Sequence, residues 1–189
     1  MTDVPEPWFP LTTERLLLRE FRPSDFDDVH AYASDPEVCR YMIWGPNTHE
    51  QSVEFMDRKL AEQAGGWPRP LVNLAMEHRA DGRVIGSIRL TVSDPDNGAG
   101  DFGYTLHSGY WRQGLTTEAS RAILDVAFKR LGLHRLWADC DPENLGSWGV
   151  MEKLGMRREA HFQRNKLIKG QWRDSLLYAI LAEEWISPG

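Results

Sequence analysis

The chain is short of cysteine, of basic charge and of long apolar runs. Two cysteines occur in 189 residues, Cys39 and Cys140. They stand far apart and show no metal-site spacing, so two reduced, buried thiols in a cytoplasmic protein are expected. Lys and Arg number 22 against 28 Asp and Glu, a formal net charge of −6. That balance argues against general nucleic-acid binding, which places many basic side chains on phosphates. It suits a cationic partner such as an amine. No apolar run approaches the ~20 residues that span a bilayer. The opening MTDVPEPWFP has neither a basic n-region nor an apolar h-region, so neither a signal peptide nor a membrane role is expected.

Other absences narrow the chemistry. The six histidines, His30, His49, His78, His107, His134 and His161, form no His-x-x-x-His pair, so no metal is expected. There is no Gly-x-x-x-x-Gly-Lys and no Gly-x-Gly-x-x-Gly, which removes the nucleotide and dinucleotide loops. Gly-x-Ser-x-Gly is missing too, which removes the hydrolase elbow. Repeats and low-complexity linkers are also lacking, and the length fits one domain over residues 1–189.

What is present is an alternation of strand and helix patterns. TERLLLREF (13–21) reads as a first strand. A helix then opens with Ser24 as N-cap and Asp25, Asp27 and Asp28 near its positive end; Phe26, Val29, His30 and Ala33 share a face. Asp35-Pro36 interrupts it, and YMIWGPN (41–47) reads as an aromatic loop. Thr48 and Gln51 form a capping-box pattern ahead of the stripe Val53, Met56, Leu60 and Ala64, which Gly65-Gly66 stops. Strands are expected at 71–79, 83–93 and 101–107, the first two joined by an Asp81-Gly82 hairpin signal. Residues 117–131 carry Ala119, Ala122, Ile123, Val126 and Ala127 at helical spacing. A strand (134–140), a short helix (144–155) and two strands (157–168 and 172–182) complete the chain. Three consecutive strands before the long helix point to a mixed α/β layer fold rather than a doubly wound one.

The stretch GYWRQGLTTEAS (109–120) joins a strand to that long helix. The first N–H groups of a helix have no internal partner and lie at its positive end, so they hold anions. Gly114 would let backbone approach a ligand closely. Arg112 would add charge, and Thr116 and Thr117 would donate hydroxyls or cap the helix. By spacing alone, a phosphate cradle and a plain connecting turn both stand.

GYTLHSGYWRQGLTTEA, followed by NLGSWGVMEKLGM, resembles the GNAT superfamily of acyl-CoA-dependent N-acyltransferases. TERLLLREFRPSDFDDVHAYASDPEV and GQWRDSLLYAIL resemble its ribosomal-protein N-terminal acetyltransferase branch, the RimJ/RimL type. The resemblance covers Thr12 to Trp185. It implies a twisted, largely antiparallel seven-stranded sheet flanked by about four helices and splayed between its fourth and fifth strands. Acetyl-CoA would lie in the splay as co-substrate, with no metal. The pyrophosphate loop of the family reads Gln/Arg-x-x-Gly-x-Gly/Ala; here Trp111-Arg112-Gln113-Gly114-Leu115-Thr116 fills that register, with Thr117 next. Gly114 is kept. Trp111 stands where Gln or Arg is usual, Thr116 where Gly or Ala is usual, and Arg112 where this branch often has Gly.

The resemblance also implies roles. Asp101 matches a carboxylate that draws the amine proton; its bland alternative is a solvated strand end. A backbone N–H near Leu106 would hold the oxyanion. Asn144 matches a residue on the CoA arm and equally suits a helix N-cap. Many relatives carry a tyrosine seven residues after this Asn; Met151 stands there and donates no proton. Ser147 matches the serine that serves the thiolate in this branch, against a helix serine bonded back to a carbonyl. His107 would touch substrate or serve a strand end. Glu159 would flank the acceptor or be solvated, and Tyr41, Trp44 and Trp67 would wall the acceptor groove or pack in the core. The implied activity is acetyl transfer from acetyl-CoA to a primary amine by direct attack through a tetrahedral intermediate. The acceptor would be a protein N-terminus or a small amine, and a homodimer is compatible with the family. The alternative is an acyl-CoA-binding sensor or interaction module without turnover.

Overall fold

The computed structural model describes residues 6–186. Its strands are β1 (Leu11–Thr12), β2 (Leu16–Arg19), β3 (Leu71–His78), β4 (Arg83–Asp94), β5 (Ala99–Leu106), β6 (Arg135–Cys140), β7 (Arg157–Ile168) and β8 (Gln171–Leu181). They form one sheet in the order β1-β2-β3-β4-β5-β6-β8-β7. Every pairing is antiparallel except β5 with β6. The helices are α1 (Phe26–Ala33), α2 (Pro36–Cys39), α3 (His49–Ala64), α4 (Leu115–Asp125) and α5 (Leu145–Lys153).

Side-chain alternation along the strands divides the core in two. Leu16, Leu18, Leu74, Ile88, Leu90 and Phe102 face α4 and α5, where they meet Leu115, Ala119, Ile123, Met151 and Leu154. On the other face Ala75 and Val84 meet Phe21, Val29, Tyr32 and Met56 beneath α1 and α3. Each large side chain so buried contributes ~1.5–3 kcal/mol relative to exposure. Helix α4 fits its place because its apolar residues recur every third and fourth position.

The sheet differs from the sequence expectation in three ways. Among the described residues there are eight strands rather than seven, because Leu11–Thr12 pair with β2 across a turn at Thr13, whose N–H donates to the Leu16 carbonyl at 2.9 Å and whose hydroxyl accepts the Leu16 N–H at 3.0 Å. The expected strand 13–21 therefore shortens to β2, and β1 is an additional strand ahead of it. Among the same residues there are five α-helices rather than four, because Asp35-Pro36 starts one: the Asp35 carboxylate accepts the Glu37 N–H at 2.9 Å, and Pro36 fits a first helical position. Ser24 does not cap α1. It sits in a 3₁₀ turn (Pro23–Asp25), and Asp25 is held by the Arg19 guanidinium at 2.8 and 2.9 Å. The capping box of Thr48 and Gln51 is present, although Val53 in the stripe behind it is 37% exposed.

The splay lies between β5 and β6, the fifth and sixth strands once β1 is counted. The two pair only over Ala99–Asp101 and Arg135–Trp137. Beyond Asp101 they diverge, β5 staying on β4 and β6 on β8. The His107 N–H donates to the Ile85 carbonyl of β4 at 2.8 Å. Antiparallel alternation then turns the N–H and C=O groups of Phe102, Tyr104 and Leu106 away from β4 and into the gap.

Candidate active site

Helix α4 starts at the mouth of this gap. Its N-cap is Gly114 at φ +77°, a left-handed conformation that glycine adopts without strain, and no side chain caps the helix. Glu118 makes the first hydrogen bond back to Gly114, at 3.0 Å. The N–H groups of Leu115, Thr116 and Thr117 therefore precede the helical ladder. Thr116 and Thr117 lie buried in the first turn and neither caps it, so the expected capping role falls away.

The loop is braced from the turn before β2 by a residue the sequence did not mark. Arg15 donates through Nε to Glu118 at 2.7 Å and through Nη1 to the Gln113 carbonyl at 2.8 Å. The Arg15 N–H and the Thr13 hydroxyl also reach Glu118, at 2.8 and 2.6 Å. Burial raises the Glu118 pKa, but these donors outweigh it and hold the carboxyl below its ordinary value. The Gln113 amide donates to the Gly109 carbonyl at 3.3 Å. Trp111 donates its indole N–H to the Leu106 carbonyl at 2.9 Å, which ties the loop to the gap. Arg112 has φ +61° and an exposed side chain.

Across the gap, α5 presents Asn144 and Ser147. The Asn144 side-chain oxygen accepts the Ser147 N–H at 3.1 Å, so this helix caps itself. Ser147 is not bonded back to its own helix. Its hydroxyl lies 3.1 Å from the Tyr104 phenol oxygen, and the phenol is 2.9 Å from the Ser147 carbonyl. Burial raises the Tyr104 pKa. The Cys140 thiol at the end of β6 also interacts with Ser147, and burial pushes it up to about 12. Met151 is fully buried in the core, so its position serves packing.

Asp101 occupies the opposite face of β5 from Tyr104, at the last paired position before the strands part. It is 6% exposed and forms an ion pair with Arg89 Nη1. The same nitrogen donates to the Thr91 hydroxyl at 2.9 Å. Arg89 reaches Asp101 by lying over Gly103, where a Cβ would come within 3.1 Å of its Nε. The gap is thus flanked by Asp101 on one face and Ser147 on the other.

Several ties draw the neighbouring segments together. Ser108 donates to Asp35 at 2.5 Å, Tyr41 to the Glu143 carbonyl at 3.2 Å, and Lys169 of the β7–β8 turn to the Cys39 carbonyl at 2.7 Å. Tyr41 therefore stands beside the α5 entry. Trp44 packs on the core under α1 and α3, and Trp67 packs edge-on to Phe9 with ring centroids 5.7 Å apart, so the three aromatics do not form one wall. His107 accepts the Gly109 N–H at 3.0 Å and serves the turn. Glu159 is engaged by Arg135 at 3.0 Å and Arg157 at 2.8 Å, on the outer strands. Among the described residues, no cluster of three or more His, Cys, Asp or Glu is placed to hold a metal, and no helix is long and apolar enough to cross a membrane.

Arg15, Arg89 and Tyr104 are the site residues that the sequence reading missed. Arg89 had a signal: Ser87, Arg89 and Thr91 alternate as polar positions on an otherwise apolar strand. Arg15 had none, because its partner Glu118 is more than a hundred residues away.

Comparison with known proteins agrees with this geometry. The acetyltransferase (GNAT) domain model matches residues 15–157. The uncharacterized N-acetyltransferase YnaD of Bacillus subtilis (strain 168) is 36% identical over 175 residues, covering 93% of this chain and 98% of the relative. The crystal structure of a GNAT-family acetyltransferase from Bacillus anthracis superposes with a TM-score of 0.81 at 33% identity, covering 92% of this chain and 98% of that one. A local match of 87 residues, 32% identical, links 46% of this chain to 44% of the ribosomal protein uS5 alanine N-acetyltransferase of Escherichia coli (strain K12). The chain belongs to the GNAT family and is an N-acetyltransferase.

Proposed function

We propose that the chain transfers the acetyl group of acetyl-CoA to a primary amine by direct attack in the gap between β5 and β6. The observation that carries this reading is the parting of the two strands beside an uncapped helix N-terminus. The gap leaves strand N–H and C=O groups for the two amides of a pantetheine arm. The first turn of α4, with Arg112 beside it, leaves donors for a pyrophosphate. Gln113 and Leu115 contribute backbone to the same loop.

Each remaining role follows from the needs of the reaction. The attacking amine must lose a proton, and Asp101 would accept it, directly or through a water. The oxyanion needs a donor in a fixed place, and the Leu106 N–H would supply one. The leaving thiolate needs a partner, for which Ser147 stands at the α5 entry. Asn144 spends its oxygen on the cap and keeps its amide N–H groups for the CoA arm. Direct attack is favoured over an acetylated enzyme, because the Cys140 thiol beside the gap stays protonated. The acceptor would be a protein N-terminus or a small amine; the relative from Escherichia coli is named for acetylating an alanine of ribosomal protein uS5.

Release of CoA thiol in the presence of a panel of amines and N-terminal peptides tests the reading. Acetyl-CoA that raises the melting temperature without any thiol release would favour the sensor alternative. Asp101→Asn should lower kcat chiefly below the pKa of the acceptor amine, ~7.7–8.0 for an α-amine and ~10.4 for a lysine-like one. An unchanged pH profile would remove Asp101 as the base.

A further inference from the structure

The Tyr104–Ser147 contact constrains where the protons lie. A phenol has one proton and a carbonyl has none to give. Of the two contacts that Tyr104 makes, the one to the Ser147 carbonyl, at 2.9 Å, therefore takes the tyrosine proton. The other contact joins two hydroxyl oxygens at 3.1 Å, either of which can donate; while the tyrosine proton is on the carbonyl, the donor is Ser147. At rest the Ser147 hydroxyl thus donates to Tyr104 and turns its lone pairs elsewhere. A serine in that state offers nothing to a departing sulfur.

We infer that Tyr104 and Ser147 form a two-hydroxyl switch, in which Tyr104 is the positioning residue that lets Ser147 donate a hydrogen bond to the leaving CoA thiolate. When Ser147 turns its O–H toward the sulfur, Tyr104 rotates its own O–H from the Ser147 carbonyl to the Ser147 oxygen. Each oxygen keeps its proton, and two hydrogen bonds in series strengthen each other. No covalent proton transfer is needed. The C–S bond breaks, the electron pair leaves with sulfur, and the thiolate later takes its proton from solvent. Serine is far too weak an acid to protonate a thiol-class leaving group, whose ordinary pKa is ~8.5, so hydrogen bonding rather than acid catalysis is the step that this pair can perform.

This rests on the proposed acetyl-CoA site, and the test separates the two. The ionisation of the bound CoA thiol can be followed by thiolate absorbance, as the difference between the CoA complex and the free protein. Donation to a thiolate favours the charged form and lowers the pKa. The wild-type complex should therefore titrate below the ordinary thiol value of ~8.5. Tyr104→Phe and Ser147→Ala should each raise it, and the double variant should match Ser147→Ala, because the tyrosine acts through the serine. In parallel, Tyr104→Phe should lower kcat by roughly tenfold, about 1.4 kcal/mol, with the KM for acetyl-CoA little changed. A Tyr104→Phe complex that titrates like wild type would overturn the switch, as would a further shift when Tyr104→Phe is added to Ser147→Ala. An unshifted Ser147→Ala complex would overturn it as well. Failure of CoA to bind the wild type would instead sink the underlying site.

Discussion

Helices α4 and α5 both begin at the gap, yet they begin differently. α5 satisfies its own first turn, with the Asn144 oxygen on the Ser147 N–H. α4 has a left-handed glycine where a capping side chain would stand, and its first donors go without one. α3, remote from the gap, is capped like α5, by Thr48. A glycine N-cap costs only about a few tenths of a kcal/mol relative to a good side-chain cap, so α4 leaves its first donors free for a ligand at little loss of stability. The comparison teaches that the proposed pyrophosphate end of the site is marked by what α4 does without, and the proposed thiolate end by what α5 keeps.

Substitutions at three positions would break or sharpen this contrast. Gly114→Val places a β-branched side chain at φ +77°, and the strain of ~1–3 kcal/mol either persists or shifts the helix start. Both outcomes misplace the α4 donors, so calorimetry should show acetyl-CoA binding weakened at least about tenfold, which is 1.4 kcal/mol. Glu118→Gln removes the carboxylate that clasps Arg15 and Thr13. Charge-assisted hydrogen bonds contribute ~1.5–3 kcal/mol, and with the Arg15 side chain 41% exposed we expect ~1–2 kcal/mol after solvent screening, read as a lower denaturation midpoint. The sign of the pH effect follows from the lowered Glu118 pKa. Its contribution is complete above the ordinary Glu value of ~4.3 and disappears as the pH falls through the lower folded value. The variant should therefore lose part of the acid-side slope of stability.

Asn144 gives the smallest and most discriminating effect. Asn144→Ala should cost ~1 kcal/mol of stability through the lost cap. Asn144→Asp should keep the cap, because a carboxylate oxygen accepts the same N–H, while losing the amide donor. Retained melting temperature with a few-fold weaker acetyl-CoA binding would show that one residue does both jobs. Equal binding by Asn144→Asp and wild type would leave it a cap alone.

Local patterns made most of the fold legible. The long helices, the Asp81-Gly82 hairpin and the capping box of Thr48 carry their signals within a few residues. The two missed elements, β1 and α2, are two and four residues long, too short for any periodicity to register. Within the proposed site, Gly114 was marked by the strand–loop–helix order, and Asp101, Asn144 and Ser147 by the family resemblance. Their partners were not. Arg15 with Glu118, Arg89 with Asp101, and Tyr104 with Ser147 meet through strand pairing and helix docking. The polar alternation at Ser87, Arg89 and Thr91 shows which face a side chain uses, but not what stands opposite.

The claim that the uncapped start of α4 holds the pyrophosphate is tested most directly by titrating acetyl-CoA against S-acetylpantetheine, which has the thioester and both amides but no pyrophosphate. Wild type should bind acetyl-CoA more tightly by about a hundredfold, ~2.7 kcal/mol, and Gly114→Val should lose most of that preference. Equal affinity of wild type for the two compounds, or an undiminished preference in Gly114→Val, would contradict the account.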